Sequence, residues 1–309
     1  MRLNIFTGNH DPDRRRTLLD LVSWLAEGFR EVGADVTVSA EQMTFDRANI
    51  IFENSHPHFT DVFRSASAEC RKATGRAMVF VLYITEIFDG VGFDDGGNGT
   101  GRERYTNFLA GADLFSGFLT TVPSNLDFLR RIAPASFFEF GYCRALDLSA
   151  HRRNPPEHVI SFSGGITPYR SAFLQAARDS GFKIYVPGRN VHTASAQTDV
   201  EYQTLVSSTA VNLCLRQHED WPLPSAPRLA RILHAATGAA VDSPPTTTEL
   251  SRLFETFNGI DEFRVRYARL DVPEIMAGAD DRLATYRARL PLAQEIMRNI
   301  EECPALAAH

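Results

Sequence analysis

Residues 210–243 constrain the fold of this chain more than any other stretch. The opening run, 210–215, reads Ala-Val-Asn-Leu-Cys-Leu, short, apolar and β-rich, the pattern of a buried strand. A polar loop broken by two prolines follows from Arg216 to Ser225. A helical pattern then covers 227–237 and stops at Gly238, where a helix-ending glycine belongs. Residues 239–242 read as the next strand. Strand, loop, helix and strand make a βαβ unit, and its loop falls at the carboxyl edge of the sheet, where open α/β sheets bind ligands. The loop carries more hydrogen-bonding side chains than a bare connector needs.

The rest of the chain alternates in the same way. Strand patterns fall at 3–6, 34–39, 48–52, 77–83, 117–121 and 137–141, with helical patterns at 18–29, 59–74, 102–111 and 124–132. The run 77–83 is almost continuously apolar, as in a strand covered on both faces. Residues 148–157 hold two prolines and a basic cluster without periodicity, the composition of a linker. A second series follows, with strands at 159–162 and 182–186, helices at 171–180 and 198–208, then the 210–243 unit. Helices fill most of the remainder, with a long one near 281–300. The expected fold is α/β, with two Rossmann-like domains facing across a cleft. The expected domains are 1–150, 151–280 and a C-terminal helical segment at 281–309.

A length of 309 residues suits two domains of ordinary size. The net charge of −6 gives no general footprint for nucleic acid or an anionic membrane. Cys70, Cys143, Cys214 and Cys303 are scattered, without the paired spacing of zinc sites, and fit a reducing cytoplasm. The first residues turn polar at Asn9-His10-Asp11, too soon for a signal peptide, and no apolar run reaches membrane-spanning length. A cytoplasmic protein is expected.

Three loops of the second half carry candidate binding chemistry. In 163–170, Gly164 and Gly165 allow close backbone approach to a phosphate, and Arg170 can add charge-assisted bonds. The spacing is neither the dinucleotide fingerprint nor a P-loop. In 187–192, Gly188 and Arg189 can border a base or sugar. In the opening stretch, Ser225 and the helix starting near Arg228 offer a second anion site. Two helix N-termini aimed at one cleft suit a diphosphate. Trp221 is a candidate stacking residue, with packing of the loop as its plainer role.

These residues also carry a resemblance. Residues 159–165 read Val-Ile-Ser-Phe-Ser-Gly-Gly ahead of Arg170, and 181–188 read Gly-Phe-Lys-Ile-Tyr-Val-Pro-Gly. Further on, Val-Asn-Leu-Cys-Leu ends at 215, Arg228-Leu follows, and His-Ala-Ala-Thr-Gly-Ala-Ala-Val-Asp spans 234–242. Over roughly 157–300 this order resembles the donor half of GT-B glycosyltransferases, closest to the bacterial spore-maturation and group 1-like branch. The resemblance implies a nucleotide diphosphate sugar as donor, no resident cofactor, a donor site including His234, and a final helix crossing back to the first domain. One departure is visible: where the family usually has a glutamate five residues before the glycine, this chain has Leu233. His234, Glu219 or Asp220 can take over that polar task, or the donor is bound differently, or the activity is lost.

On the acceptor side, inverting members of the family often carry a general base after the first strand. His10, with Asp11 beside it, stands there; an imidazole titrates near working pH. Glu86, at the end of the strongest strand pattern, is the competing base or acceptor contact. Glu53, His56 and His58 form another polar cluster, without an evident ligand set for a metal. Arg102 and Arg104 can meet an anionic acceptor. The expected activity is metal-independent transfer of a sugar to an acceptor hydroxyl. The alternatives are a catalytically lapsed binding or scaffold protein and a nucleotide-sugar epimerase.

Overall fold

The computed structural model describes residues 1–11, 15, 18–53, 57–88, 91–93, 100–187, 199–244 and 248–308. The chain divides into two compact units, Met1–Phe138 with Ala293–His309, and Glu139–Leu292. Among the described residues no helix is long and apolar enough to cross a membrane.

The first unit runs β1 (Arg2–Phe6), α1 (Leu19–Glu31), β2 (Asp35–Ser39), β3 (Ala48–Phe52), α2 (Pro57–Thr74), β4 (Phe80–Ile84), α3 (Gly101–Gly111), β5 (Gly117–Thr120), α4 (Leu126–Leu129) and β6 (Ala135–Phe137). The six strands pair in parallel in the order β2-β1-β3-β4-β5-β6. Every residue of β3, β4 and β5 is buried, which is why those segments are nearly all apolar. Ile5, Ile50 and Val81 sit side by side in register. Polar Asn4 and Asn49 are also register neighbours, and they satisfy each other through an Asn4 Nδ2 to Asn49 Oδ1 bond of 3.0 Å. The apolar stripe of α1 buries Leu21, Trp24, Leu25 and Phe29, and the helix stops at Gly33, whose φ of +82° few other residues tolerate. A phenylalanine-rich core including Phe63, Phe80, Phe108 and Phe118 packs within this unit.

The second unit runs β7 (His158–Phe162), α5 (Pro168–Asp179), β8 (Ile184–Tyr185), α6 (Asp199–Ser207), β9 (Thr209–Cys214), α7 (Ala226–His234), β10 (Gly238–Asp242), β11 (Thr256–Phe257), α8 (Gly259–Arg266) and α9 (Val272–Arg289). Its five strands are parallel in the order β11-β10-β9-β7-β8. After α9 the chain continues into α10 (Leu292–Glu302), which belongs almost wholly to the first unit. The α/β class and the two parallel sheets are as the alternating pattern implies.

Local departures have physical reasons. The helix expected near 281–300 is two helices, because Pro291 has no N–H and Leu290 leaves the helical region at φ −131°, ψ 60°. The strand expected at 137–141 is instead 135–137, where buried Ser136 is bonded by Asn299 Nδ2 at 2.8 Å. The proline-bearing stretch 148–157 lies inside the second unit.

Both sheets reverse direction at their first strand. From β1 the chain places β2 on one side and β3 on the other; from β7 it places β8 on one side and β9 on the other. The loops leaving β1 and β3, and those leaving β7 and β9, therefore part at a topological switch point, which opens a crevice at the carboxyl edge.

Candidate functional site

At the β7/β9 switch point of the second unit, two arginines lie against one aromatic ring. Phe162 ends β7, and its ring lies 5.8 Å from the Arg170 guanidinium carbon and 5.6 Å from that of Arg228. Among the described residues neither arginine forms an ion pair with a carboxylate. Gly164 follows with φ +137°, and a Cβ there would stand 2.4 Å from Arg228 Nη2. Arg228 thus lies across backbone that only glycine leaves uncovered. Its Nη1 is buried with no hydrogen-bond partner among the described residues.

Arg170 plays a different part from the one its sequence position suggests. Its side chain turns back and donates to Leu215 O (2.9 Å from Nη2), Arg216 O (2.9 Å from Nε) and Gly165 O (2.8 Å from Nη1). It joins the loop after β7 to the loop after β9, and its N–H groups are taken by carbonyls. It is a staple whose charge remains in the site, not an outward-facing anion ligand. Burial, and then the Arg228 charge beside it, push Arg170 down to about 9, whereas Arg228 is raised, with Cys214 and Tyr202 beside it outweighing its burial; both are cations at neutral pH.

Two helices begin at the same edge. At α5 the Thr167 hydroxyl accepts from Arg170 N at 3.3 Å, a normal cap. At α7 the N-cap Ser225 makes no side-chain cap bond, and Pro227 stands in the first turn. The leading amides of α7 therefore keep their hydrogen-bonding capacity beside Arg228.

A buried network unseen in the sequence fixes the β9 loop. Asp242, fully buried at the end of β10, pairs with Arg216 at 3.2 Å and accepts from Tyr169 Oη at 2.7 Å. Arg216 also donates to Asn258 Oδ1 at 2.8 Å and Glu219 O at 2.7 Å. Burial, followed by the Asp242 carboxylate, pushes Tyr169 up to about 12. The available signal was a carboxylate closing an apolar strand, which demands a cationic partner.

His234 is corrected as a donor ligand. Its ring is fully buried, stacked on Tyr142 at 5.2 Å and edge-on to Tyr286 at 5.3 Å. Nδ1 faces Ala230 O at 2.8 Å and Nε2 accepts from Cys143 N at 3.1 Å, the pattern of a neutral ring. Burial lowers it to about 4. It locks the C-terminal end of α7 and offers no surface to a ligand. Leu233 is buried too, while Glu219 and Asp220 are exposed and Trp221 packs edge-on to His218 at 5.3 Å. Gly188, Arg189 and His56 lie outside the described residues.

In the first unit, polar residues gather at the β1/β3 switch point and the adjoining end of β4. His10 is buried in the loop after β1, which Asn9 Nδ2 ties to Phe52 O at 2.7 Å, while Asp11 is exposed. Glu53 follows β3 and Glu86 follows β4, and Arg104 of α3 pairs with both. His58 is exposed on α2 and Arg102 on α3. The described residues contain no cluster of three or more metal-ligating side chains.

No family model matches the sequence, and no curated protein does. Among solved structures, the crystal structure of AviGT4, a glycosyltransferase involved in avilamycin A biosynthesis, aligns over 100% of this chain and 98% of that one, with TM-score 0.56 and 12% identity. The structure of a GtfA/B complex aligns over 83% of this chain and 58% of that one, with TM-score 0.43 and 11% identity. The chain therefore shares the α/β fold of AviGT4, with two parallel sheets.

Proposed function

We propose that the chain transfers a sugar from a nucleoside diphosphate sugar to an acceptor hydroxyl, as a GT-B glycosyltransferase. The observation that carries the reading is the Arg170–Arg228 pair over Phe162, cations without carboxylate partners among the described residues, beside an uncapped helix start. Two like charges in a half-dry site are a liability unless a multiply charged anion belongs there, and a diphosphate is such an anion. The fold shared with AviGT4 and the residues quoted for the spore-maturation and group 1-like branch support the same reading.

In the reaction, the acceptor oxygen bonds to the anomeric carbon. The bond from that carbon to the diphosphate oxygen breaks, and its electron pair leaves with the diphosphate. Negative charge grows on the leaving group, where Arg228 and the leading amides of α7 stabilise it. Gly164 and Gly165 let the phosphates approach the backbone, Ser225 flanks them, and Arg170 adds its field while holding the loops. Gly188 and Arg189 border the nucleotide in this reading. With arginines and helix ends meeting the developing charge, no resident metal takes part.

His10 is the proposed base. It takes the acceptor proton, with Asp11 orienting it and Glu86 contacting the acceptor. Incubation with a panel of nucleoside diphosphate sugars and glycoside acceptors tests this, read as released nucleoside diphosphate and as a new glycoside by mass spectrometry.

One observation favours a second reading. Leu233 stands, buried, where the resemblance calls for a glutamate, so no carboxylate is available at that point. A lapsed glycosyltransferase acting as a binding protein would take up nucleoside diphosphates and never release a product glycoside.

A further inference from the structure

Three arginines meet at the β7/β9 edge, and they are held in three different ways. Arg216 pairs with the Asp242 carboxylate at 3.2 Å, and Arg170 directs its N–H groups to the carbonyls of Gly165, Leu215 and Arg216. Among the described residues Arg228 has neither a carboxylate nor a carbonyl partner. A long cationic chain without a fixed direction samples many rotamers, and ordering it on binding costs affinity.

The direction of Arg228 comes from α6, which packs against α7. Half-buried Tyr202 of α6 lies against the buried cluster of Leu148, Val206, Ile232 and Ala235. Ile232 stands four residues after Arg228 on α7, so both side chains leave the same face of that helix one turn apart. A tyrosine ring on this cluster brings its hydroxyl to the guanidinium. Burial opposes the Arg228 charge, and Cys214, at the buried end of β9, together with Tyr202 outweighs it. The other walls are the Phe162 ring, 5.6 Å from the guanidinium carbon, and the bare backbone of Gly164.

The guanidinium is thus bounded by a ring, a glycine, a thiol and a phenol. A phenol is an uncharged hydrogen-bonding group whose lone pairs can accept from an N–H. It can set the direction of an arginine and leave the positive charge whole. A carboxylate in its place would cancel that charge, as Asp242 does for Arg216.

We infer that Tyr202 is a positioning residue: its hydroxyl aims Arg228 at the anion site at the start of α7 without neutralising it. The inference rests on the glycosyl-transfer reading above, which makes that anion a diphosphate.

The test is isothermal titration of the full chain with inorganic pyrophosphate and with UDP, GDP, dTDP and ADP. The proteins are the wild type, Tyr202→Phe, Arg228→Met and the double variant. Tyr202→Phe keeps the ring and its packing, and it is expected to weaken pyrophosphate about 5-fold or more, the effect of losing a hydrogen bond to a charged group. Tyr202→Met, which fills the same apolar seat with a flexible chain, gives the same loss. In the Arg228→Met background Tyr202→Phe has no further effect, because nothing is left to aim. Added sodium chloride weakens binding as steeply in Tyr202→Phe as in the wild type, since the charge remains, and less steeply in Arg228→Met. A merely structural Tyr202 lowers Tm and leaves affinity in the folded protein unchanged. Wild-type affinity in Tyr202→Phe, or an equal loss with and without Arg228, overturns the inference while the glycosyl-transfer reading stands. No binding of pyrophosphate or any of the four nucleotides by the wild type overturns both.

Discussion

The Arg228 guanidinium occupies the space that any side chain at Gly164 requires: a Cβ placed there falls 2.4 Å from Nη2, on backbone with φ +137°. Gly164→Ala therefore meets two penalties, an unfavourable backbone region and displacement of the arginine. The expected loss of stability is about 1–3 kcal/mol by denaturant titration. Nucleoside diphosphate affinity falls at least about 10-fold with it. Gly165 has no atom within 4 Å of such a Cβ and no positive φ, so Gly165→Ala is expected to be milder on both counts.

The Arg228 charge beside Arg170 opposes the charge on Arg170. Inorganic pyrophosphate is expected to raise Tm, by an amount matching about 2.7 kcal/mol at 100 times its Kd, and the shift shrinks as sodium chloride is added. Arg228→Met removes one of the like charges and the buried Nη1. It is expected to keep or raise the Tm of the ligand-free protein while abolishing the pyrophosphate shift, a combination that general unfolding does not produce.

His234 makes the second unit acid-sensitive. Its pKa is lowered to about 4 in the folded chain, from about 6.5 when unfolded. The unfolded chain takes up a proton first as pH drops, so the stability from this group is present above about 6.5 and is lost progressively down to about 4. The full loss is on the order of 3 kcal/mol. Urea titrations between pH 7 and 4 check it; in His234→Gln this part of the slope disappears.

Asp242 and Arg216 test the loop anchor. Both are buried, and removing one charge strands the other. Asp242→Asn is expected to destabilise by about 3–5 kcal/mol. Thermal unfolding reads that loss, and nucleotide affinity drops in the fraction still folded because the β9 loop is no longer fixed.

Much of the fold is written in local patterns. The runs containing Ile5, Ile50, Val81 and Val211 are buried strands because both faces of a parallel sheet exclude water, and that requirement leaves unbroken apolar text. Gly33, Gly75 and Gly181 end helices at positive φ, and each stands where the periodicity stops. Periodicity alone misleads at Pro291, where it runs on through a residue that cannot donate to a helix.

The site divides along the same line. Gly164 and Arg228 were legible because each follows a strand and heads or adjoins a helix. The direction of Arg170 was not, since the carbonyls it binds belong to Leu215 and Arg216, a strand away. Nor was the burial of His234, whose walls, Tyr142 and Tyr286, come from distant segments. The Glu53–Arg104–Glu86 clamp hid for the same reason: its members follow or belong to three separate elements.

The central claim is that the β7/β9 edge of the second unit receives a nucleoside diphosphate. Isothermal titration of the wild type with UDP, GDP, dTDP and ADP measures it most directly, with Arg228→Met alongside. The account predicts that at least one binds in the micromolar range and that Arg228→Met weakens it at least about 10-fold, the loss of a charge-assisted contact. Absence of binding by all four at millimolar concentration, or equal affinity in Arg228→Met, would contradict it.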